Sequence, residues 1–521
     1  MTRLARAARR TGGLAVSAAA LAAVGGLTWW GAVAPRATSP QVAAHAVPAP
    51  SSAVSYVCPA GPSDTIGAVT VGKATTGTAI TSLTGTGTLS YDGETLKADP
   101  TWSGKDAEGG VIRLEESAAS ASPSATASPT ASSTAAAGSA RERGGASGVV
   151  TSLSPDGDLR GLTTASCAPP SAVSWIVGGS AAVGSSAELR LTNPGSTSVT
   201  AHVTLLGSTG ELSLPSGGAV SVPAGETRTV LLETAPDASD RVAVGVEADD
   251  GALGVSLATE SLDGETPAGT EVLTPGAAPS TDLTVPGVVL TKAADQGEEE
   301  KDGASSSDAP AVRVGNPGTE PATVTLTIEG EHGSEVLPGA ESVTIDPGAV
   351  FDVSLAGVTP GAYGVRVTSD QPVVAAVRLV RSAGEYPEAS GVLVHDVAWA
   401  QAGQPSAVQA GTVSMPRSDG MTPQLLLTSS GDAALGDTTV HLASADGGWS
   451  TDVDVPVGTT VAAKVPDDVD AVTMSGEPGR DVTAAVVVTA KVKGDAARTL
   501  ISTLSPVADA QALAERRIRL G

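Results

Sequence analysis

The sequence predicts an all-β protein, in which tandem immunoglobulin-like β-sandwich domains follow an N-terminal signal or transmembrane helix. Runs of alternating aliphatic and polar residues recur along the chain, separated by glycine, proline, serine and threonine. Aromatic residues make up only 2% of the sequence, so the core has to be built from valine, leucine, isoleucine and alanine. A long internal repeat indicates that one unit was copied.

The repeat is clearest where Leu189–Gly195 recurs as Val312–Gly318. The matches continue without a gap as far as Gly225 in the first copy and Gly348 in the second. The two copies contain the only two asparagines of the chain, Asn193 and Asn316.

Each asparagine opens an Asn-Pro-Gly turn. The turns are Asn193, Pro194 and Gly195 in the first copy, and Asn316, Pro317 and Gly318 in the second. Proline suits the first central position of a type II turn, glycine suits the position with positive φ, and the asparagine side chain bonds the N–H two residues on. We therefore predict a hairpin corner that reverses the chain into Val199–Leu206. A binding tip is the alternative reading.

The N-terminal residues 1–35 have the pattern of an export signal or membrane anchor. Arginines at positions 3, 6, 9 and 10 precede an uncharged run from Thr11 to Pro35, which is long enough to span a bilayer. An uncleaved single-pass anchor is favoured, because Pro35 follows the small-residue site Ala32–Ala34 and disfavours cutting there. Cleavage and secretion is the alternative. Both predict that the rest of the chain lies outside the cytoplasm, attached through the linker 36–53.

The charge balance excludes one class of partner. The chain has 56 acidic and 30 basic side chains, and such a surface repels nucleic acid. We therefore expect no nucleic-acid partner, whereas solubility or a basic partner would suit this surface.

First strands that begin near residues 54, 173, 283 and 412 predict four domains of the size of an immunoglobulin-like sandwich. We place these domains at 54–170, 171–275, 281–400 and 408–510, followed by a basic tail at 511–521. A disordered insert of Ser, Ala, Thr and Pro is predicted at 117–148 and an acidic insert at 295–308. In the second domain the predicted strands are Trp175–Val177, Glu188–Thr192, Val199–Leu206, Val220–Val222, Thr227–Leu232, Val242–Ala248 and Gly254–Thr259.

The only two cysteines, Cys58 and Cys167, are predicted to form a structural disulfide, since an exported protein with an even cysteine count favours pairing. The bridge would join the last strand of the first domain to its own first strand.

Several of these features together resemble a known family. An exported N-terminus, a strand ending in Cys58-Pro59, the segment Ser174–Gly179 and then Leu189–Gly195 resemble an actinobacterial family of large secreted or membrane-anchored proteins. That family is classified only as a domain of unknown function. The resemblance implies no activity and no catalytic residues, and it points weakly towards cell-surface glycan biology.

No motif in the sequence indicates a catalytic activity or a cofactor. The five histidines stand singly, and the sequence contains no H-E-x-x-H zinc motif, G-x-S-x-G elbow or P-loop. We therefore predict no catalytic, cofactor-binding or metal-binding residues and no cofactor. Calcium binding by Asp467, Asp468 and Asp470 is an alternative to a solvated turn.

The expected function is a non-enzymatic scaffold or interaction protein of the bacterial cell envelope, with an unidentified envelope protein or glycan as partner and a membrane attachment through the N-terminal helix. A glycan-binding accessory protein is the alternative. It needs exposed tryptophans among Trp102, Trp399 and Trp449, whereas Trp175 is expected in the core. A hydrolase with a site assembled across domains is the third reading.

Overall fold

The computed structural model describes residues 54–508, with gaps at 63–64, 67–68, 71–73, 84–86, 98–100, 106–107, 117–144, 156, 216, 238, 264–265, 292–308, 386–392, 404–410, 432–435, 477–481 and 492–498. The predicted anchor and linker, most of the insert 117–148, the acidic insert and the basic tail lie outside the described residues. The insert ends earlier than predicted, because a strand begins at Ala146. None of the described residues form a helix long and apolar enough to cross a membrane.

Residues 50–514 form one compact unit, which contains every described residue. Apart from two single 3-10 turns, at Leu232–Thr234 and Ser418–Gly420, the regular structure described is β-strand. The strands fall into four stretches of the chain: segment 1 (54–170), segment 2 (171–279), segment 3 (280–403) and segment 4 (411–508).

The strands of segment 1 are β1 (Val54–Cys58), β2 (Thr65–Ile66), β3 (Val69–Thr70), β4 (Thr75–Ser82), β5 (Gly87–Tyr91), β6 (Glu94–Thr95), β7 (Thr101–Gly104), β8 (Gly110–Glu116), β9 (Ala146–Ser154) and β10 (Gly161–Ser166). Those of segment 2 are β11 (Val173–Val177), β12 (Ser185–Thr192), β13 (Val199–Gly207), β14 (Gly210–Leu212), β15 (Ala219–Val222), β16 (Thr227–Leu231), β17 (Ala243–Asp249), β18 (Gly254–Asp263) and β19 (Thr266–Leu273).

The strands of segment 3 are β20 (Ser280–Leu290), β21 (Ala311–Gly315), β22 (Ala322–Gly330), β23 (Gly333–Val336), β24 (Val343–Ile345), β25 (Val350–Ser354), β26 (Gly361–Glu385) and β27 (Leu393–Gln401). Those of segment 4 are β28 (Gly411–Ser414), β29 (Met421–Ser429), β30 (Thr438–Ser444), β31 (Ser450–Val455), β32 (Thr459–Ala463), β33 (Ala471–Gly476), β34 (Val482–Lys491), β35 (Thr499–Leu504) and β36 (Val507–Ala508).

The strand order is the same in every segment. In segment 2 one antiparallel sheet runs β11-β17-β13 with β14 and β15 on its edge, and the other runs β16-β12-β18-β19. Segment 4 repeats this as β28-β33-β30-β31 and β32-β29-β34-β35, and segment 1 as β1-β8-β5-β6 and β7-β4-β9-β10. In segment 3 the long strand β26 takes part in both sheets, and the order is otherwise kept.

This order corrects one part of the predicted fold. Immunoglobulin constant domains place the first strand in the sheet of the second, fourth and fifth. Here the first strand, β11 in segment 2, pairs instead with β17, which also pairs with β13. The all-β, antiparallel character is therefore confirmed, but the immunoglobulin strand order is not found.

The apolar cores lie between the two sheets of each segment and continue into the neighbouring segment. The core of segment 2 takes in Val374 and Trp399 of segment 3. The core of segment 3 takes in Leu426 and Ile501 of segment 4, and that of segment 4 takes in Leu162 of segment 1. Alternating apolar residues on each strand build these cores, because successive side chains point to opposite faces.

The repeated asparagines are buried and fully engaged. The Asn193 side chain accepts from the N–H of Gly195 at 2.9 Å and donates to the carbonyl oxygens of Thr197 and Val222 at 2.7 and 2.9 Å. Asn316 makes the same three bonds, with Gly318, Glu320 and Ile345. An amide supplies one acceptor and two donors on a short stem, which explains why both copies carry asparagine.

The predicted hydrogen bond from asparagine to the N–H two residues on is confirmed, but the predicted turn type is wrong. Neither Gly195 nor Gly318 has a positive φ, so the turn is an Asx turn and not type II. The hairpin corner is also wrong: β12 pairs with β16 and β18, whereas β13 pairs with strands of the other sheet. The Asn-Pro-Gly turn therefore carries the chain from one sheet to the other.

A second turn braces this crossing in three segments. The N–H groups of Gly225 and Gly348 donate to the carbonyl oxygens of Asn193 and Asn316, at 2.9 and 2.8 Å. Gly458 donates in the same way to Ser429 at 2.7 Å, so Ser429 takes the asparagine's place in segment 4. All three glycines have φ near +70°, a conformation that favours glycine.

The predicted disulfide joins Cys58, at the end of β1, to Cys167, just after β10. It therefore links the two sheets of segment 1. The neighbouring residues add a backbone bridge, since Val57 and Ala168 exchange N–H and carbonyl bonds at 2.7 and 3.0 Å. Closing a loop with a sequence separation of 109 residues is worth about 4–5 kcal/mol in the chain-entropy model.

We expect the Asn316→Asp substitution to destabilise the fold by about 2–4 kcal/mol, because it removes both donors and places a carboxylate beside the buried carbonyl oxygens of Glu320 and Ile345. The measurement is the shift of the urea midpoint at unchanged slope. The exposed neighbour Glu320→Gln serves as the control and should leave the midpoint in place. Equal midpoints for the two variants would contradict this role of the amide.

Candidate functional site

The four segments meet at their last long strands, β10, β19, β27 and β35. Among the described strands, each of these four pairs on one edge, with β9, β18, β26 and β34 respectively. Their other edges face one another: β10 packs against β19 and β35, and β27 packs against the same two strands. The backbone groups on these inner edges are removed from water and need partners that a neighbouring strand does not provide.

Side chains supply these partners. Thr164 on β10 donates through its N–H and its hydroxyl to the Ser502 hydroxyl on β35, at 2.8 and 2.9 Å. Ser502 in turn donates to the Glu271 carboxylate on β19, at 3.0 and 3.1 Å to its two oxygens. All three residues are buried. One chain of hydrogen bonds therefore crosses from segment 1 through segment 4 to segment 2.

Asp396 on β27 completes this central polar cluster. Its side chain is 0% exposed, and its Oδ2 accepts from the N–H of Ile501 at 2.7 Å. A Cβ at Gly161 would come within 2.9 Å of Asp396 Oδ1, so the absence of a side chain on β10 leaves room for the carboxyl group. Asp396 therefore joins segment 3 to segment 4 and lies close to Gly161 of segment 1.

The two central carboxyl groups hold protons more tightly than usual. Burial raises the pKa of Asp396 to about 7, although the N–H of Ile501 and the charge of Arg160 act in the opposite direction. Burial raises the pKa of Glu271 well above its usual value, and the nearby charge of Asp396 adds to this. Arg381, which faces Asp396 across the β26–β27 pair, is also buried, and burial lowers its pKa to about 10.

A third buried carboxyl group, Glu329 on β22, also faces segment 4. It accepts a hydrogen bond from the Ser430 hydroxyl, while its backbone carbonyl accepts from Thr460 at 2.7 Å. Burial raises the pKa of Glu329 to about 7 against the effects of the Ser430 hydrogen bond and the charge of Arg366. Segment 4 is thus joined to segments 2 and 3 through three carboxyl groups with raised pKa values.

Two arginines in the repeat join segment 2 to segment 1 and segment 3 to segment 2. Arg190 donates to the carbonyl oxygens of Ala60 and Gly61 in segment 1, at 2.9 and 2.8 Å, and pairs with Glu188. Arg313, the same position of the next copy, donates to the carbonyl of Gly179 in segment 2 at 2.6 Å and pairs with Asp352. Each arginine therefore reaches back to the loop that follows the first strand of the preceding segment.

Arg313 is 1% exposed and lies over the Trp399 ring at 4.4 Å. In segment 4 the equivalent position is Leu426, three residues before Ser429, and it packs into the core of segment 3. Both arginines lie within the repeated stretches Leu189–Gly195 and Val312–Gly318, for which the sequence predicts only a strand and a turn. A signal for their role is present in the sequence, because each is an arginine between two aliphatic residues at the same place in two copies.

A cavity of about 730 Å³ lies where β10, β19, β27 and β35, the four central strands, end. Residues from all four segments line it, among them Ser166, Thr274, Gln401 and Ser505, which lie at or just beyond the ends of β10, β19, β27 and β35. Glu271, Thr164 and Ser502 of the central polar cluster are buried and do not line the cavity, although each stands two or three residues before a cavity-lining residue at or just beyond the end of its strand.

The strand edges beside the cavity are closed. The Gln401 side-chain amide donates to the carbonyl of Val177 at 2.8 Å and accepts from the N–H of Val177 at 3.1 Å. It thereby occupies backbone groups of β11 that a neighbouring strand would otherwise bond. Ser171 makes the equivalent pair of bonds with Val173 at 2.7 and 3.3 Å. On β20, Thr284 exchanges backbone bonds with Gly403. Edges capped in this way resist the addition of a further strand.

The residues singled out from the sequence are not gathered at this site. Cys58 lines the cavity, whereas the two Asn-Pro-Gly turns lie at separate sheet crossings. Asp470 accepts from Thr101 at 3.0 Å across the joint between segments 4 and 1. Among the described residues no group of three or more His, Cys, Asp or Glu side chains is placed to hold a metal ion.

The tryptophans differ from the glycan-binding expectation. Trp175 is in the core, as predicted, but Trp399 is buried as well, at 6% exposure. Trp102 and Trp449 are half-buried, the first beside Tyr91 with ring centroids 5.6 Å apart. None of these four aromatic side chains lines the cavity.

Stability should fall as pH rises through the range set by Asp396. Its pKa is about 7 in the folded chain and about 4 when unfolded, so the folded state binds the extra proton between these values. The contribution, up to about 4 kcal/mol, is therefore complete below pH 4 and lost by pH 7. We expect Asp396→Asn to flatten the dependence of the melting temperature on pH between 5 and 8.

The matched control is Asp467→Asn, at a fully exposed carboxylate. This variant should keep the slope of the wild-type protein. A wild-type slope in Asp396→Asn would contradict the assignment, because Glu271, Arg160 and Arg381 are the other charged groups facing this carboxyl and they remain in place.

Comparison with known proteins gives a family but no activity. The family of unknown function DUF5719 matches residues 120–466, which runs from the insert of segment 1 through segments 2 and 3 into segment 4. A search of curated proteins finds no match to the chain. The matched stretch contains both Asn-Pro-Gly crossings, Arg190 and Arg313, and three of the four strands at which the segments meet, β10, β19 and β27. The chain belongs to the family of unknown function DUF5719.

Proposed function

We propose that the protein is a non-enzymatic scaffold or interaction protein of the bacterial cell envelope. In this proposal each segment is a β-sandwich domain copied in tandem, immunoglobulin-like in having two layers although not in strand order. The N-terminal segment anchors the chain in the membrane and places the domains outside the cytoplasm. The observation that carries the proposal is a cavity to which all four segments contribute.

The chemistry at the centre supports binding over turnover. The carboxyl groups of Glu271 and Asp396 are 4% and 0% exposed, and their hydrogen bonds go to Ser502 and to the N–H of Ile501. A general acid or base has to reach the proton that it transfers. Neither group lines the cavity, and both bond to groups of β35, which favours a structural role.

A glycan-binding accessory protein is the second candidate. Its support is the set of hydroxyl and amide side chains around the cavity, including Ser166, Ser256, Thr274 and Gln401. Sugar rings are usually held against aromatic faces, however, and the cavity lining contains no aromatic residue among those described. An envelope protein is therefore the favoured partner.

The proposal is tested by measuring how much of the full-length protein binds to the detergent-insoluble fraction of the cell envelope. We expect binding that protease treatment of the envelope removes, and that Ala278→Trp at the exposed cavity rim weakens at least fivefold. Ala219→Trp, an exposed alanine away from the cavity, is the control and should bind normally.

The same assay separates the alternatives. Binding that survives protease but is lost after glycan removal would support the glycan-binding protein instead. Release of reducing sugar by wild type but not by Ala278→Trp would establish a hydrolase. Retention that is equal in all variants would remove the cavity from the proposal.

A further inference from the structure

The cavity has two chemically different ends. Its inner end reaches the core of segment 4, where Leu427, Val440 and Met474 line it, and these residues are at most 4% exposed. Its rim carries Asp92 and Glu108, both exposed, from segment 1. An apolar interior with a few polar groups at the mouth is the usual form of a ligand site.

The unbalanced charge at the rim is negative. Arg190 is the one basic residue that lines the cavity among those described, and it is already engaged by Glu188 and by the carbonyl oxygens of Ala60 and Gly61. Asp92 accepts from the N–H of Val111 at 2.8 Å through one oxygen, and neither rim carboxylate forms a salt bridge with another residue that the structure describes. A cationic group of a ligand would therefore be attracted to this rim.

The walls between the two ends favour a peptide over a lipid tail. Hydroxyl groups of Ser174, Ser256 and Thr274 line them, which suits the amide groups of a chain. Thr483 also lines the cavity, and its buried hydroxyl has no hydrogen-bond partner among the described residues. Such a group gains a hydrogen bond when a ligand provides one.

The occupied edge of β11 excludes one mode of binding, in which the ligand would add a strand to the sheet. Gln401 and Ser171 occupy the free edge of β11, so an incoming chain does not extend that sheet. Recognition is left to side chains that enter the cavity. The apolar inner end selects an aliphatic side chain, and the rim selects a neighbouring basic one.

We propose that the cavity binds a peptide segment of a partner protein in which an aliphatic residue stands beside lysine or arginine. This inference rests on the proposed function and adds the chemical class of the partner. Attraction between one cationic side chain and two exposed carboxylates contributes modestly, whereas burial of the aliphatic side chain provides most of the affinity.

The test uses the full-length protein and a displayed library of random heptapeptides as the probe. We expect enriched sequences to place Leu, Ile, Val or Met next to Lys or Arg. A representative enriched peptide should bind at least about tenfold more weakly to Ala278→Trp, because the indole blocks the mouth. It should bind about three- to tenfold more weakly to the double variant Asp92→Asn/Glu108→Gln.

Ala219→Trp again serves as the control, and the melting temperature of each variant shows whether it is folded. The double variant changes exposed side chains only, so it remains informative if Ala278→Trp fails to fold. Enrichment of acidic sequences, no enrichment, or binding unaffected by both cavity variants would overturn the proposal. Binding of envelope polysaccharide that Ala278→Trp abolishes would assign the cavity to a glycan and overturn it as well.

The outcomes are distinguishable from those of the envelope assay. Protease-sensitive retention that depends on Ala278, together with no enrichment of basic–aliphatic peptides, would leave the interaction protein in place and reject only this ligand class.

Discussion

The inner edges of the four central strands set the constraint on which the rest of the structure depends. β10, β19, β27 and β35 each have one edge without a partner among the described strands, and the four strands pack against one another. Unpaired backbone groups in such a place cost about 1–3 kcal/mol each. Ser502, Glu271 and Asp396 remove part of this cost by bonding N–H and hydroxyl groups of strands in other segments.

The joints between segments follow from the same arrangement, but they use two kinds of chemistry. Arg190 and Arg313 donate to backbone carbonyl oxygens of the preceding segment. Segment 4 instead meets its neighbours through Glu329, Glu271 and Asp396, whose pKa values are raised by burial. The segments therefore share one strand order but differ in the residues that join them. In segment 4, Leu426 stands at the position that Arg190 and Arg313 occupy in segments 2 and 3.

Much of the strand pattern could be read from the sequence, because alternation is a local signal. The seven strands predicted for segment 2 all appear, and the four first strands begin at Val54, Val173, Ser280 and Gly411. β19 was missed: its run Thr266–Leu273 lacks regular alternation, since it is buried on nearly all sides by other segments. The sheet crossing at Asn193 was read as a hairpin because the same residues serve both turns.

The candidate site could not be predicted for a different reason. Thr164, Glu271, Asp396 and Ser502 come from four segments, and each is an ordinary polar residue in its own strand. Only the meeting of the segments makes them a cluster and opens a cavity beside it. The separations in sequence, such as 338 residues between Thr164 and Ser502, carry no local pattern.

Shared cores and side chains at the centre join the four repeated segments into one body. Scanning calorimetry of the full-length protein tests this most directly, by comparing the calorimetric with the van't Hoff enthalpy. We predict one cooperative transition for residues 54–508, with the two enthalpies about equal. Separate transitions, with a calorimetric enthalpy several times larger than the van't Hoff value, would show that the segments unfold independently and would contradict the account.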